Sequence, residues 1–206
     1  MKVFCFGAAV GAVLAAVLSP VATPAHAGTS QTAQTGLHDF DFLMGEWQVH
    51  HRRLKERLAG SQDWLEFNGT LSARPVLGGW GNVDDNVLDM PGGAYRAVGL
   101  RAFDAKTGLW AIWWLDGRTP EASLGPPVKG RFEQGVGTFY ADDTFAGKPI
   151  RVRFMWSHIT PNSCRWEQAF SPDGGRTRET NWTMEFRRVV GVDGAMRKAP
   201  GWPLLS

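Results

Sequence analysis

Several features that would place a chain in a functional class at once are missing from these 206 residues. Basic residues (22) barely exceed acidic ones (20), so the chain lacks the positive excess of a dedicated nucleic-acid-binding protein. It contains no Gly-x-Ser-x-Gly elbow, no His-Glu-x-x-His, no Cys-x-x-Cys and no glycine-rich phosphate loop. The sequence therefore predicts no nucleic-acid partner and no metal site, and it favours a binding protein over an enzyme.

Long apolar runs are also missing, apart from one near the start. Val3–Leu18 is about sixteen residues long, shorter than the roughly 20 that a membrane-spanning helix needs. Lys2 precedes this run, and Ala25-His26-Ala27 follows it as a small-x-small cleavage site. We interpret residues 1–27 as a secretory signal peptide, with export to the periplasm or beyond the cell and no membrane span after cleavage.

Cysteine is nearly absent, since Cys5 lies in the signal segment and leaves Cys164 alone. A single cysteine cannot form an internal disulfide, so the exported domain must be stabilised by packing. Residues 28–36 are polar and aperiodic and are expected to form a flexible lead-in, and residues 191–206 an irregular tail. A single domain is expected between them, over residues 37–190.

Tryptophan and glycine are abundant instead, with 10 and 25 copies, and glycine makes up about 12% of the chain against about 7% on average. Residues Ile150–Ile159 alternate strictly, with Val152, Phe154 and Trp156 on one face. Such period-2 runs recur between turn signals, while long helical periods are absent. The predicted strands are 45–53, 62–74, 80–90, 93–103, 109–116, 128–134, 136–142, 149–159, 162–171 and 177–189.

Ten strands at this spacing predict an all-β, antiparallel, up-and-down barrel. Asn68-Gly69 leaves open a division of the second strand into two, because this dipeptide favours a hairpin turn. Residues 37–43 could form a short helical plug, and Arg52–Leu58 a helical turn. A ten-stranded barrel is wider than side chains alone usually fill, so an internal ligand cavity is plausible.

The segment His38-Asp39-Phe40-Asp41-Phe42-Leu43-Met44-Gly45-Glu46-Trp47 resembles the opening of lipocalin-like (calycin) barrels. In those proteins a short plug leads into a Gly-x-Trp whose tryptophan closes the barrel base. The rest of the chain is similar to a family of exported bacterial proteins of unknown function. The matching segments are Gly78–Asp84, Trp113–Arg118 and Arg165–Gly175. The resemblance implies a fold and no activity.

A more distant similarity is to the nitrobindin-like haem barrels, which open with Gly-x-Trp-x-Gly-x-Gly. Here Val49 and His51 stand where that pattern has its second and third glycines. Side chains at these positions would crowd a porphyrin. A haem ligand would have to be His158, His51 or His50, so haem is an alternative hypothesis and no cofactor is the main expectation.

The main functional hypothesis is a small apolar or amphipathic ligand bound in the barrel. Trp114, Trp156 and Trp166 would be its walls, and Arg101, Asp116 and His158 its polar anchors. The simpler interpretation is that the tryptophans, Trp47 and Trp182 among them, only fill the core. The sequence leaves the oligomeric state open.

The alternative is an enzyme that uses the same cavity for acid–base chemistry. Glu66 and Asp84 could face inward as buried carboxylates with raised pKa values, and His158 could join them. Solvated or salt-bridged carboxylates are the competing interpretation. Cys164 shares a strand face with Trp166 and Phe170, which indicates a buried, inert thiol.

Overall fold

The computed structural model describes residues 36–190, so the predicted signal peptide, nearly all of the lead-in and the C-terminal tail lie outside the described residues. Ten antiparallel strands form a closed barrel. Each strand pairs with its neighbours along the chain, and the first strand closes on the last. The strands are β1 (Gly45–Leu54), β2 (Trp64–Val76), β3 (Gly81–Leu88), β4 (Tyr95–Asp104), β5 (Leu109–Asp116), β6 (Val128–Glu133), β7 (Val136–Phe145), β8 (Lys148–Ser157), β9 (Ser163–Ser171) and β10 (Glu179–Arg188).

This architecture confirms the all-β, ten-stranded, up-and-down prediction. The only α-helix among the described residues is the short α1 (Pro120–Ser123), which follows β5. Alternate residues of most strands point inward, as in β4, where Tyr95, Ala97, Gly99, Arg101 and Phe103 are buried and the five residues that alternate with them are not. Period-2 patterning is therefore what specifies the barrel.

Two local expectations are wrong. Asn68-Gly69 does not form a turn, because it lies inside β2 and pairs with β1. A hairpin at this point would break the ladder on both sides of β2. Arg52–Leu58 is not a helical turn, since Arg52 and Arg53 still pair with β2 and with β10. Residues 37–43 do contain a short helical turn, a 3-10 helix over Asp41–Leu43.

Two tight hairpins connect β6 to β7 and β7 to β8. Their loops are only two residues long, Gln134-Gly135 and Ala146-Gly147, and all four residues have positive φ. Positive φ at both central positions defines the type I′ turn, whose twist matches that of the paired strands. Glycine at the second position of each loop adopts the positive φ that this turn needs. The two tight turns then place β6, β7 and β8 side by side.

The N-terminal segment closes one end of the barrel. Leu43 and Trp47 are fully buried there, and the Trp47 indole Nε1 donates to the Leu43 carbonyl at 2.8 Å. Arg188, the last residue of β10, lies over the Trp47 ring at 4.1 Å. Its guanidinium donates to the carbonyls of Met44 and Phe42 at 2.5 Å each. This closed end ties the first and last strands together.

The weakest lateral contact of the barrel lies between β5 and β6. These strands pair at only three positions, from Trp110 to Ile112. Beyond them β5 continues to Asp116 without β6, and residues 141–145 of β7 pair only with β8. We call this interruption the seam. It is the part of the wall where the interior comes closest to solvent.

Candidate functional site

A cavity of about 340 Å³ occupies the barrel interior. Aromatic residues from four strands form a large part of its wall. They are Trp113, Trp114, Phe154, Trp156, Trp166, Phe170, Trp182 and Phe186. Gly125, Pro126, Asp142 and Asp143 line it beside the seam, where it opens. Protein interiors rarely leave voids much larger than a water molecule, so this space is available to a ligand.

The aromatic wall is fixed by edge-on contacts between its own rings. Trp182 lies 5.6 Å from Trp166 at 88° and 6.1 Å from Trp114 at 84°. Phe154 packs against Trp166 at 4.9 Å. Edge-to-face pairs of this kind contribute about 0.5–1.5 kcal/mol beyond the area they bury. The wall is therefore a preformed apolar surface.

Asp84 forms the polar floor of the cavity and is completely buried. Its Oδ1 accepts hydrogen bonds from Asn86 Nδ2 at 2.5 Å and from the Gly99 amide at 2.9 Å. Its Oδ2 accepts from Nη1 of Arg101. Since the carboxylate is paired and hydrogen-bonded, it is satisfied where it stands.

Arg101 lies beside Asp84 and is 5% exposed. Nη1 also donates to Asn82 Oδ1 at 3.0 Å, and the guanidinium lies 5.2 Å from the Phe40 ring and 5.5 Å from the Trp156 ring. Among the described residues, Nε of Arg101 and the indole Nε1 of Trp156 are buried donors without an acceptor. Buried donors in native proteins usually have partners. Arg153 Nε and Asn181 Nδ2 also lack one, but of the four residues only Arg101 and Trp156 line the cavity.

Four residues of the ligand hypothesis lie on the cavity: Arg101, Trp114, Trp156 and Trp166. They come from β4, β5, β8 and β9, and the barrel brings them together although they are far apart in the chain. Trp182 lines the cavity too, whereas Trp47 is packed in the closed end. The tryptophans therefore divide between core and cavity.

The other two proposed anchors are not on the cavity. Asp116 lies at the end of β5, where Arg118 donates to it at 2.6 and 3.0 Å and these hydrogen bonds lower the pKa of its carboxyl. Asp116 therefore pairs with Arg118, whereas Arg101 pairs with Asp84. His158 is exposed, with a φ of 51°, and its Nδ1 lies 3.0 Å from the Ser157 hydroxyl. The expectation that His158 faces inward is wrong because β8 ends at Ser157.

The three acid–base candidates do not converge. Glu66 is about half exposed on the outer face of β2, where Arg52 Nε donates to it at 2.9 Å. Asp84 faces inward and is held by Arg101, and His158 is exposed at the far end of β8. Alternation along β2 explains Glu66, because Phe67 takes the inward position next to it. The expectation of two inward carboxylates is therefore wrong for Glu66.

A haem does not fit the inner face of β1. Val49 and His51 are 3% and 2% exposed and fill the interior where the haem-barrel pattern has glycine. His51 is stacked on Phe67 at 4.6 Å, and its Nδ1 accepts from Trp182 Nε1 at 3.3 Å. His50 is exposed and lies beside Glu66, on the outer face.

Cys164 is the free cysteine of the described residues, and it is buried. Burial raises the pKa of its thiol to about 12, although the Arg188 guanidinium acts in the opposite direction. A thiol with so high a pKa is almost entirely protonated at neutral pH, which makes it a poor nucleophile. Its position agrees with the sequence interpretation of an inert core residue.

Sequence reasoning offered a salt-bridged Asp84 but missed Asn82 and Asn86, which hydrogen-bond to Arg101 and to Asp84. The signal was present, because Asn82, Asp84 and Asn86 alternate along β3 and therefore share one face. Polar residues at every second position looked like a solvated strand. Only the ring of neighbouring strands shows that this face is the inside of the barrel.

Within residues 36–190 no group of three or more His, Cys, Asp or Glu side chains is arranged to hold a metal ion. Over the same residues no helix is long and apolar enough to cross a membrane.

Comparisons with known proteins give little beyond the fold. No family model matches the chain, and no curated protein matches it. Among solved structures it is similar to a redesigned beta barrel, at 13% identity and a TM-score of 0.38, over 74% of this chain and 96% of that one. At that identity and score the likeness adds nothing to what the strand order shows.

Proposed function

We propose that this protein is an exported, lipocalin-like barrel that binds a small apolar or amphipathic ligand in its cavity. The main observation behind this proposal is the cavity of about 340 Å³, which has tryptophan and phenylalanine in its walls and a polar floor. Ligand sites in proteins typically combine such apolar walls with a few fixed polar groups. The export of the chain rests on residues 1–27 alone.

The shape of the site supports a binder more than a catalyst. The exposed residues that line the cavity, Gly125, Pro126 and the two aspartates of β7, all lie beside the seam, so the cavity opens there. The rings that surround it bury a ligand's apolar surface, which contributes about 25 cal/mol per Å² removed from water. Asp84 already accepts hydrogen bonds from Asn86, Gly99 and Arg101, which fix its carboxylate in the floor.

The test fills the cavity with a side chain and asks whether binding is lost. Ala141 lines the cavity, so Ala141→Phe places a ring where the ligand would lie. Ala111 lies between the buried Trp110 and Ile112 on β5 and faces outward, which makes Ala111→Phe a matched control.

We expect uncharged naphthalenes to change tryptophan fluorescence and raise the melting temperature of the wild type and of Ala111→Phe. A ligand at 100 times its Kd stabilises the folded state by about 2.7 kcal/mol. Ala141→Phe should lose both responses while remaining folded. Absence of any response in the wild type, or an equal response in Ala141→Phe, would show that the cavity is not the binding site.

A further inference from the structure

We propose that the cavity selects an uncharged ligand that carries a hydrogen-bond acceptor oxygen, such as a ketone, ester or amide carbonyl, and discriminates against carboxylates. The acceptor oxygen would lie on the floor, between Arg101 and Trp156. This inference rests on the proposed function and names the class of ligand that the same site takes.

The two unpaired donors supply the first part of the argument. Arg101 and Trp156 are 95% and 98% buried, and both line the cavity. The guanidinium carbon lies 5.5 Å from the centre of the Trp156 ring, so the two side chains are neighbours. A buried donor without an acceptor has lost its hydrogen bonds to water, and a ligand oxygen at the floor would give it a partner.

The charge of the floor supplies the second part. An arginine alone would favour an anion, but Asp84 pairs with Arg101 and both are buried, so the floor carries one charge of each sign. A ligand carboxylate placed there would add a second anion with no second cation to compensate it. The other charged residues that line the cavity are Asp142 and Asp143 at its opening, and both are acidic.

The charges along the cavity repel an anionic head group but not a neutral one. The charged residues that line the cavity are three aspartates and one arginine. An anion approaching the opening would meet Asp142 and Asp143 before it reached Arg101. A carbonyl oxygen meets no such repulsion and still accepts a hydrogen bond from the floor.

The experiment compares three naphthalenes of similar size: acetylnaphthalene, naphthoate and methylnaphthalene. They present a neutral acceptor, a carboxylate ionised at neutral pH, and no acceptor. We expect the purified full chain to bind acetylnaphthalene about tenfold more tightly than methylnaphthalene, the effect of one net hydrogen bond. Naphthoate should bind at least tenfold more weakly than acetylnaphthalene.

Two variants locate the effect at the floor. Trp156→Phe removes the indole donor and keeps a ring, and it should reduce the acetyl-to-methyl affinity ratio severalfold. Trp110→Phe is the matched control, because the indole of Trp110 donates to the Gly36 carbonyl at 2.9 Å and does not line the cavity. Asp84→Asn removes the compensating charge next to Arg101, and it should raise the affinity for naphthoate above that of the wild type.

The outcomes separate the two proposals. If none of the three compounds binds, the proposed function fails. If naphthoate binds the wild type as tightly as acetylnaphthalene, or if Trp156→Phe leaves the acetyl-to-methyl ratio unchanged, the ligand class is overturned while the cavity function stands. Trp156→Phe keeps a ring in the wall and should fold. The test with this variant therefore stands even if Asp84→Asn does not fold.

Discussion

At the scale of single residues, His51 shows how the barrel interior controls ionisation. Its ring is 2% exposed and lies flat against Phe67, and the indole of Trp182 donates to its Nδ1. Burial, with smaller effects of His50 and Arg53, lowers the pKa of His51 to about 3. The imidazole is therefore neutral inside the folded protein at every physiological pH.

His51 should make the protein lose stability as the pH falls. The unfolded chain binds a proton at His51 below about pH 6.5 and the folded chain only near pH 3, so proton binding lowers the free energy of the unfolded state between these values. At its steepest, the resulting loss in the free energy of unfolding is about 1.4 kcal/mol per pH unit. Urea unfolding measured between pH 7 and pH 4 gives the free energy of unfolding at each pH. This free energy should fall less steeply with decreasing pH for His51→Gln than for the wild type.

The control is His38→Gln, which changes an exposed histidine beside Asp41. Most carboxylates lie far from both histidines, so their contribution on unfolding is common to the three proteins. Identical slopes for His51→Gln and the wild type would contradict a neutral, buried His51.

At the scale of elements, β6 is the strand on which barrel closure depends. It shares three paired positions with β5 and five with β7. Every other two neighbouring strands of the barrel share more. Gly130 belongs to both ladders, opposite Trp110 and opposite Phe139. A Cβ at Gly130 would overlap the Thr138 carbonyl oxygen. Glycine at this position lets β6 approach β7 closely.

Gly130→Ala should therefore loosen the pairing of β6 with β7. The added methyl must push β6 away from the backbone of β7, and such overpacking typically costs about 1–3 kcal/mol of the free energy of unfolding. Hydrogen exchange of the β6 amides should accelerate more than that of β1 or β10. Gly92→Ala is the matched control, because a Cβ at Gly92 meets no atom within 4 Å. Equal stability of the two variants would contradict the close approach.

At the scale of the whole molecule, Arg188 joins the two ends of the chain. It donates to the carbonyls of Phe42 and Met44 in the N-terminal segment and to that of Pro161 at 2.7 Å in the loop between β8 and β9. Its guanidinium also covers the Trp47 ring. Because β1 and β10 are the most distant strands in sequence, their closure is the entropically costly step, and these contacts offset it.

Arg188→Met should lower the free energy of unfolding by about 2–4 kcal/mol, because three carbonyls lose a charged donor while much of the aliphatic packing is kept. Arg187→Met changes the exposed neighbour and should be close to neutral. Urea denaturation of the two variants checks this. A small effect at Arg188 would mean that packing of Trp47 alone closes the barrel.

Prediction from sequence succeeded where the signal is local. Strand order and most strand bounds follow from alternation and turn residues, as in β8, where Val152, Phe154 and Trp156 share a face. It failed where the answer depends on neighbours. Asn68-Gly69 has the local chemistry of a turn, yet pairing with β1 on one side and β3 on the other keeps it extended.

In the candidate site, too, some residues could be identified from the sequence and others could not. Arg101, Trp114, Trp156 and Trp166 could be chosen from the sequence, since alternation puts each on an apolar face. Whether His158 belongs with them depended on where β8 ends, a matter of one residue. Boundaries of this kind are set by the loop that follows and by the closed end, neither of which has a periodic signature.

The sequence by itself determined the strand class, the number of strands and which residues of each strand face together, because a period of two is a local property of the backbone. Only the tertiary structure decided which face is inside. It also decided that Asp84 is compensated by Arg101 while two donors at the floor lack an acceptor. These are properties of the closed barrel, in which residues from β3, β4 and β8 meet across a shared interior.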